Sequence, residues 1–286
     1  MIRILYKLPI FVFCLILHFI LGLIGLGVRR IHFQSGQMIL GFLLKWNSRI
    51  LLAVLGVHFQ CENDFEKIAS GSLIVSNHMS YLDMLIIVSQ VKGVFVTSQD
   101  LKETPFLGQI AEIAGCVFVE RRKDKRKADG LNLEIEQLAS YLTKGQNIIL
   151  FPEATSTDGQ QVKDFKRPLF RSAVIAQKNT ALLCLNYKEV EGEVFSRFNA
   201  DKICWYGSMS FFPHFLQLMQ LDSIQVQLSF LGNLSFREEK DFGDLARIGH
   251  QTISQYYQKT LFQASSNDQN YLSHSTENPI KSRGGA

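Results

Sequence analysis

Three observations predict an α/β layer fold preceded by an apolar helical hairpin. From about His58 onward, short β-branched or apolar runs alternate with helical stretches, the pattern of a sheet layered with helices. Two long apolar segments precede that body, within residues 8–27 and 38–57. Of the 286 residues 47% are hydrophobic, enough to bury a full core in one large domain with an appendage. The divisions that follow are a membrane-anchoring hairpin over residues 1–57, an α/β domain over 58–264 and a disordered tail over 265–286.

The first segment, LPIFVFCLILHFILGLIGLG, is a 20-residue apolar run with His18 as the only side chain that can carry charge near neutral pH. At about 1.5 Å per residue, such a helix matches the hydrocarbon thickness of a bilayer. It has neither the shorter apolar region nor the small-residue cleavage site of a secretory signal, so a retained anchor is expected. The second segment, MILGFLLKWNSRILLAVLGV, carries Lys45, Asn47 and Arg49 at its centre. Charges at that depth cost a spanning helix a few kcal/mol each, about 2.5–3.5, whereas an interfacial helix turns them to the headgroups. The pair therefore predicts a hairpin that enters or lies in one leaflet. Arg3, Lys7, Arg29 and Arg30 flank the first segment on both sides, so charge bias assigns no orientation.

In the body, strands are predicted over residues 72–77, 93–98, 115–120, 147–152, 181–187, 203–209 and 224–231. Helices are predicted over 81–90, 105–114, 126–144, 168–178 and 240–263. The stretch FFPHFLQLMQ reads as an amphipathic surface helix holding His214, with a further membrane contact in its large apolar residues. Trp46 is expected at the membrane interface and Trp205 in the core. From Ser265 onward the chain is polar and aperiodic, the composition of a disordered tail.

A net charge of +4 is mildly basic, suited to anionic lipid or an acidic protein partner and short of a nucleic-acid signature. The five cysteines are odd in number, scattered and without C-x-x-C spacing, so neither a disulfide framework nor a zinc site is indicated and a reducing setting is expected. His58, His78 and His214 show no metal-ligand spacing, and no metal or cofactor is expected.

Chemistry in α/β folds collects where strands end and helices begin. The stretch SNHMSYLD places His78 just after a strand and Asp83 five residues on. On one continuous helix those side chains would lie roughly 140° apart, so they meet only if the backbone turns between them. A strand ending near Asn77, with Ser80 and Asp83 forming a capping box at the next helix, provides that turn. An imidazole accepts a proton from an alcohol, and a neighbouring carboxylate fixes its tautomer and stabilises the imidazolium. A second stretch, FPEATSTDG, also follows a strand, with Pro152 ending the ladder and Glu153 at its mouth. A third, VFVERRKDKRK, ends a strand in a cationic run, with Arg121 and Arg122 nearest the strand and suited to phosphate.

Together these motifs resemble those of the lysophospholipid acyltransferase family, and of the 1-acylglycerol-3-phosphate acyltransferases in particular. NHMSYLD is similar to that family's histidine and aspartate separated by four residues, GCVFVERR to its second motif, and FPEATST to its third, usually F-P-E-G-T-R-S. The resemblance covers about Ser72 to Tyr187 and implies the glycerolipid acyltransferase fold, a mixed sheet flanked by helices. It implies His78 as general base and Asp83 as its orienting partner. Glu153, Thr155, Arg121 and Arg122 would bind the acceptor, with Pro152 and Asn77 counted in the same set. The implied donor is acyl-carrier protein or acyl-CoA, the acceptor is 1-acylglycerol-3-phosphate or, alternatively, lyso-ornithine lipid, and the location is a bacterial-type inner membrane with the active site facing the cytoplasm. Ala154 and Ser156 depart from the family's glycine and arginine, which puts the acceptor in question more than the reaction. If Ala154 holds a glycine's positive φ, the strain is on the order of 1 kcal/mol.

A lipid-directed serine hydrolase would need a G-x-S-x-G elbow, and the chain has none. A non-catalytic lipid-binding protein on the same fold is the remaining competitor, and it would show lipid affinity without His78-dependent turnover.

Overall fold

The computed structural model describes residues 2–104, 107–120, 130–236 and 242–275. Helices α1 (Ile2–Ile31) and α2 (Phe33–Leu55) form the hairpin, with the His32 ring nitrogen capping α2 by accepting from Ser35 N–H. By length and composition both are able to cross a membrane, over Ile2–Val28 and Met38–Leu55. Polar groups nonetheless tie both helices to the body. Lys7 is buried and donates to the Leu55 carbonyl at 3.1 Å and the Leu221 carbonyl at 2.7 Å, while Arg3 pairs with Asp222 at 3.1 Å. Arg49 donates to the Ser89 carbonyl at 3.1 Å and Lys45 to the Gln90 carbonyl at 3.5 Å. Those carbonyls close α3 (Leu82–Gln90), the end of a helix where cations are favoured. The apolar ridge Met38, Phe42, Trp46 and Ile50, spaced four apart, stays exposed.

The strands β1 (Val57–Glu62), β2 (Leu73–Ser76), β3 (Val94–Ser98), β4 (Val117–Val119), β5 (Ile148–Leu150), β6 (Thr180–Val190), β7 (Glu193–Val194) and β8 (Ile224–Leu234) form one mixed sheet. Their order is β1-β8-β6-β2-β5-β3-β4, with β7 paired to β6. From β6 through β4 the pairs are parallel, whereas β8 runs antiparallel to β6 and β1 parallel to β8. β2 and β5 are buried at every position, as strands covered on both faces must be, and their runs LIVS and IIL are correspondingly apolar. The remaining helices are α4 (Gln99–Lys102), α5 (Leu107–Ile113), α6 (Gly130–Thr143), α7 (Arg171–Ala176), α8 (Phe211–Leu218) and α9 (Phe242–Ser275).

Several elements differ from the sequence expectations. Residues 203–209 are loop and turn rather than a strand: Trp205 N–H donates to the Met79 carbonyl at 2.9 Å, Gly207 turns the chain at φ 61°, and half-buried Trp205 lies above the core. The apolar residues there, Ile203 and Cys204, are buried as a loop packing inward, a placement that apolar runs alone do not separate from a strand. Periodicity does not predict β1, because VHFQCE is an edge strand with mostly exposed side chains and no clean alternation. His214 lies on the predicted helix but faces inward, its Nδ1 3.0 Å from the Tyr81 hydroxyl. Where composition predicts a disordered tail, α9 continues helical to Ser275, since extending an existing helix costs far less than nucleating one. Residues 276–286 of that expected tail lie outside the described residues.

Candidate active site

β2 and β5 are adjacent and parallel, so the loops leaving their carboxyl ends emerge side by side. The first carries His78 and the second Glu153. Asn77 fastens the end of β2 to β6 as a backbone mimic, its Nδ2 donating to the Leu185 carbonyl at 2.9 Å and its Oδ1 accepting from Leu185 N–H at 2.8 Å. The amide is therefore committed to the sheet. The turn after it is closed by Asp83, whose Oδ2 accepts from Met79 N–H at 2.6 Å and Ser80 N–H at 2.9 Å, while Ser80 Oγ accepts from Leu82 N–H at 3.4 Å. Asp83 thus reaches back to Ser80 N–H as the sequence spacing predicts, but the return bond is absent: α3 begins after Tyr81, which makes no side-chain cap, and Asp83 N–H goes to the Ser80 carbonyl.

That turn brings His78 Nδ1 to 2.9 Å from Asp83 Oδ2. Asp83 is fully buried and His78 keeps 19% of its side chain exposed, so the carboxylate lies behind the ring and the ring's other edge faces outward. With Nδ1–H donating to Asp83, the lone pair of neutral His78 sits on Nε2, which no hydrogen bond reaches among the described residues. The ring stacks on Phe151 at 4.0 Å between centroids and 10° between planes, and Phe151 in turn stacks on Phe95. An apolar face on one side and a buried carboxylate on the other leave a single open nitrogen, the arrangement of a general base that takes a proton from an incoming hydroxyl.

Glu153 is 3% exposed and both its oxygens are occupied, Oε1 by His78 N–H and Oε2 by Lys163 N–H, each at 2.7 Å. Burial pushes this carboxyl up to about 7, against the downward pull of those two backbone donors. Glu153 thus holds the backbone of the histidine turn and presents no free oxygen outward, which departs from its expected contact with the acceptor. Thr157 adds a second clamp, its N–H donating to the His78 carbonyl at 3.0 Å and its hydroxyl to the same oxygen at 3.2 Å. Pro152 is buried, its carbonyl accepting from Lys166 N–H at 2.8 Å, whereas Thr155 is exposed beside the site. Arg121 and Arg122 lie outside the described residues.

Ala154 sits at φ 60°, the left-handed conformation that glycine adopts without penalty. Buried Ser156 donates its hydroxyl to the Trp205 carbonyl, so the loop before α8 closes over the third motif. Sequence reasoning also missed Tyr187, whose hydroxyl donates to Asp83 Oδ1 at 2.7 Å from β6. The available signal was a tyrosine ending a strand otherwise rich in leucine; that this strand adjoins β2 is a fact of topology. Among the described residues no cluster of histidine, cysteine and carboxylate suited to a metal occurs.

Residues 57–185 match the family model described as Acyltransferase. The chain is 26% identical over 212 residues to the lyso-ornithine lipid O-acyltransferase of Rhizobium meliloti (strain 1021), covering 72% of this chain and 71% of that protein. It is 30% identical over 149 residues to the 1-acyl-sn-glycerol-3-phosphate acyltransferase of Neisseria meningitidis serogroup B, covering 52% and 57%. The crystal structure of the 1-acyl-sn-glycerophosphate acyltransferase from Thermotoga maritima superposes with a TM-score of 0.61 at 15% identity, over 90% of this chain and 97% of that one, and shows the same fold. The matched segment includes His78 and Glu153 on the loops after β2 and β5 and Asp83 at the start of α3, so the chain carries an acyltransferase domain similar to those of lysophospholipid acyltransferases.

Proposed function

We propose that this protein transfers a fatty acyl group from a thioester to the free hydroxyl of a membrane lysolipid, with His78 as base. The observation that carries the proposal is the 2.9 Å contact between His78 Nδ1 and buried Asp83, with Nε2 turned outward. The acceptor hydroxyl gives its proton to Nε2 while its oxygen bonds to the thioester carbonyl carbon. As the resulting adduct collapses, the carbon–sulfur bond breaks and the departing thiolate takes the proton back from the imidazolium. No acyl-enzyme forms, and the base ends each cycle neutral.

Position 156 bears on the choice of acceptor. A phosphate headgroup calls for a cation, and Ser156 supplies a hydroxyl already committed to the Trp205 carbonyl. This favours lyso-ornithine lipid, the substrate named for two relatives that match over 72% and 66% of the chain. The second reading, 1-acylglycerol-3-phosphate, draws its support from the cationic sequence at Arg121 and Arg122 and from the Neisseria relatives. In both readings the donor is soluble acyl-CoA or acyl-carrier protein, and the exposed faces of α1 and α2 rest in one leaflet, which brings the lipid acceptor to the site.

Membranes holding the full chain, supplied with labelled acyl-CoA or acyl-carrier protein and with each lysolipid in parallel, test this. Transfer is expected that falls by at least about 10²–10⁴-fold in His78→Ala, the range of general-base catalysis. Turnover on lyso-ornithine lipid alone supports the first acceptor, and turnover on 1-acylglycerol-3-phosphate alone supports the second. Lipid binding with no His78-dependent transfer to either would leave a non-catalytic binding protein.

A further inference from the structure

We propose that Tyr187 is a positioning residue of the transfer, its hydroxyl holding the Asp83 carboxylate in register with His78 and drawing charge from it. The proposal rests on the reading of His78 as the base. Tyr187 lies on β6, two residues beyond Leu185, which Asn77 ties to the end of β2. That tie carries the phenol beneath the histidine turn, where the fully buried ring packs 5.9 Å from Phe195. Its hydroxyl donates to Asp83 Oδ1 at 2.7 Å, while Oδ2 takes His78 Nδ1 and the N–H groups of Met79 and Ser80.

The two oxygens thus have separate duties. Oδ2 is oriented by the backbone and serves the histidine. Oδ1 depends on Tyr187 alone among the hydrogen bonds described, and without it would be a buried acceptor lacking a donor. Burial and the nearby Asp83 charge push the phenol well above its ordinary value, so the hydroxyl stays protonated and acts as a donor. A strong donor on Oδ1 withdraws charge from Oδ2 and tempers its attraction for an imidazolium. Other titratable groups that sense Asp83 are Glu153 on the third-motif loop, Cys204 on the loop before α8 and Tyr257 on α9. A test must therefore alter the phenol and leave these in place.

Tyr187→Phe removes the donor and keeps the ring. In the full chain kcat is expected to fall about tenfold with the acceptor KM unchanged, and the acidic limb of the kcat/KM profile to move to higher pH by about half a unit or more. Site-specific 3-fluorotyrosine at position 187, a more acidic phenol and stronger donor, is expected to move that limb the opposite way. Limbs that superimpose on wild type, or that move in one direction for both changes, would reduce Tyr187 to a packing role and overturn the proposal. If Tyr187→Phe does not fold, the fluorinated protein decides the matter, because its ring volume is almost unchanged. Should wild type show no His78-dependent transfer, the reading of the base fails first. The Tyr187 contact is then judged separately by NMR titration of the His78 ring, which shifts with the phenol substitution if the contact tunes it and stays fixed if it does not.

Discussion

Single residues in the third motif carry opposing demands. Ala154 adopts φ 60°, where a Cβ crowds the following carbonyl at about 1–2 kcal/mol. Ala154→Gly is expected to gain roughly 0.5–1 kcal/mol, a rise of a few degrees in thermal midpoint for a chain of this size, read by melting the detergent-solubilised protein. Glu153 makes the opposite trade, since burial raises its carboxyl from 4.5 to about 7. The folded chain thus binds that proton more tightly than the unfolded chain, so the stability it contributes is full below 4.5 and is lost as pH rises through about 7. Wild-type melting temperature should fall across that window. Glu153→Gln is expected to flatten the slope while lowering stability by about 1–3 kcal/mol, because an amide nitrogen cannot accept the second backbone N–H. An unchanged slope in the variant would assign the titration to another group.

Helix α2 shows how one element serves two masters. Its apolar ridge, with Phe42 56% and Trp46 50% exposed, faces outward, while Lys45 and Arg49 reach the final carbonyls of α3. A helix crossing the bilayer centre would bury those two cations in hydrocarbon or pull them from α3, whereas one lying in the interface leaves them where they are. Nitroxide labels at Phe13, Phe42 and Trp46 in proteoliposomes are expected to report similar shallow depths, about 5–10 Å below the headgroups. Depths that run progressively from one leaflet toward the other would establish a spanning hairpin instead. At the far end of the chain, α9 reaches the site indirectly: the Tyr257 hydroxyl donates to the Gly159 carbonyl at 2.6 Å, fastening the loop that follows the third motif.

Across the whole molecule, the sheet order converts linear motifs into a site. β5 pairs with β2 on one side and β6 pairs with it on the other, so the Glu153 loop and Tyr187 flank the His78 turn although 75 and 109 residues separate them from it along the chain. The same order places β4, which leads to Arg121 and Arg122, two strands away from β5 on the sheet edge. The hairpin packs by α2 against α3, with Phe11 of α1 meeting Phe215 of α8 at 4.8 Å, so the apolar surface and the histidine turn belong to one body.

What could be read without coordinates was whatever depends on neighbours along the chain. The His78 turn, the bond from Ser80 N–H to Asp83 and the buried strands 73–76 and 148–150 follow from short-range capping and periodicity, while the φ of Ala154 was suggested only by the resemblance. Chain order left undetermined everything that depends on which strands become neighbours. Tyr187 on Asp83, the commitment of Glu153 and Asn77 to backbone groups, the burial of His214 and the loop at 203–209 were decided by tertiary packing. A buried donor or acceptor must be paired, and its partner comes from whichever segment the sheet topology brings within about 3 Å, whatever its distance in sequence.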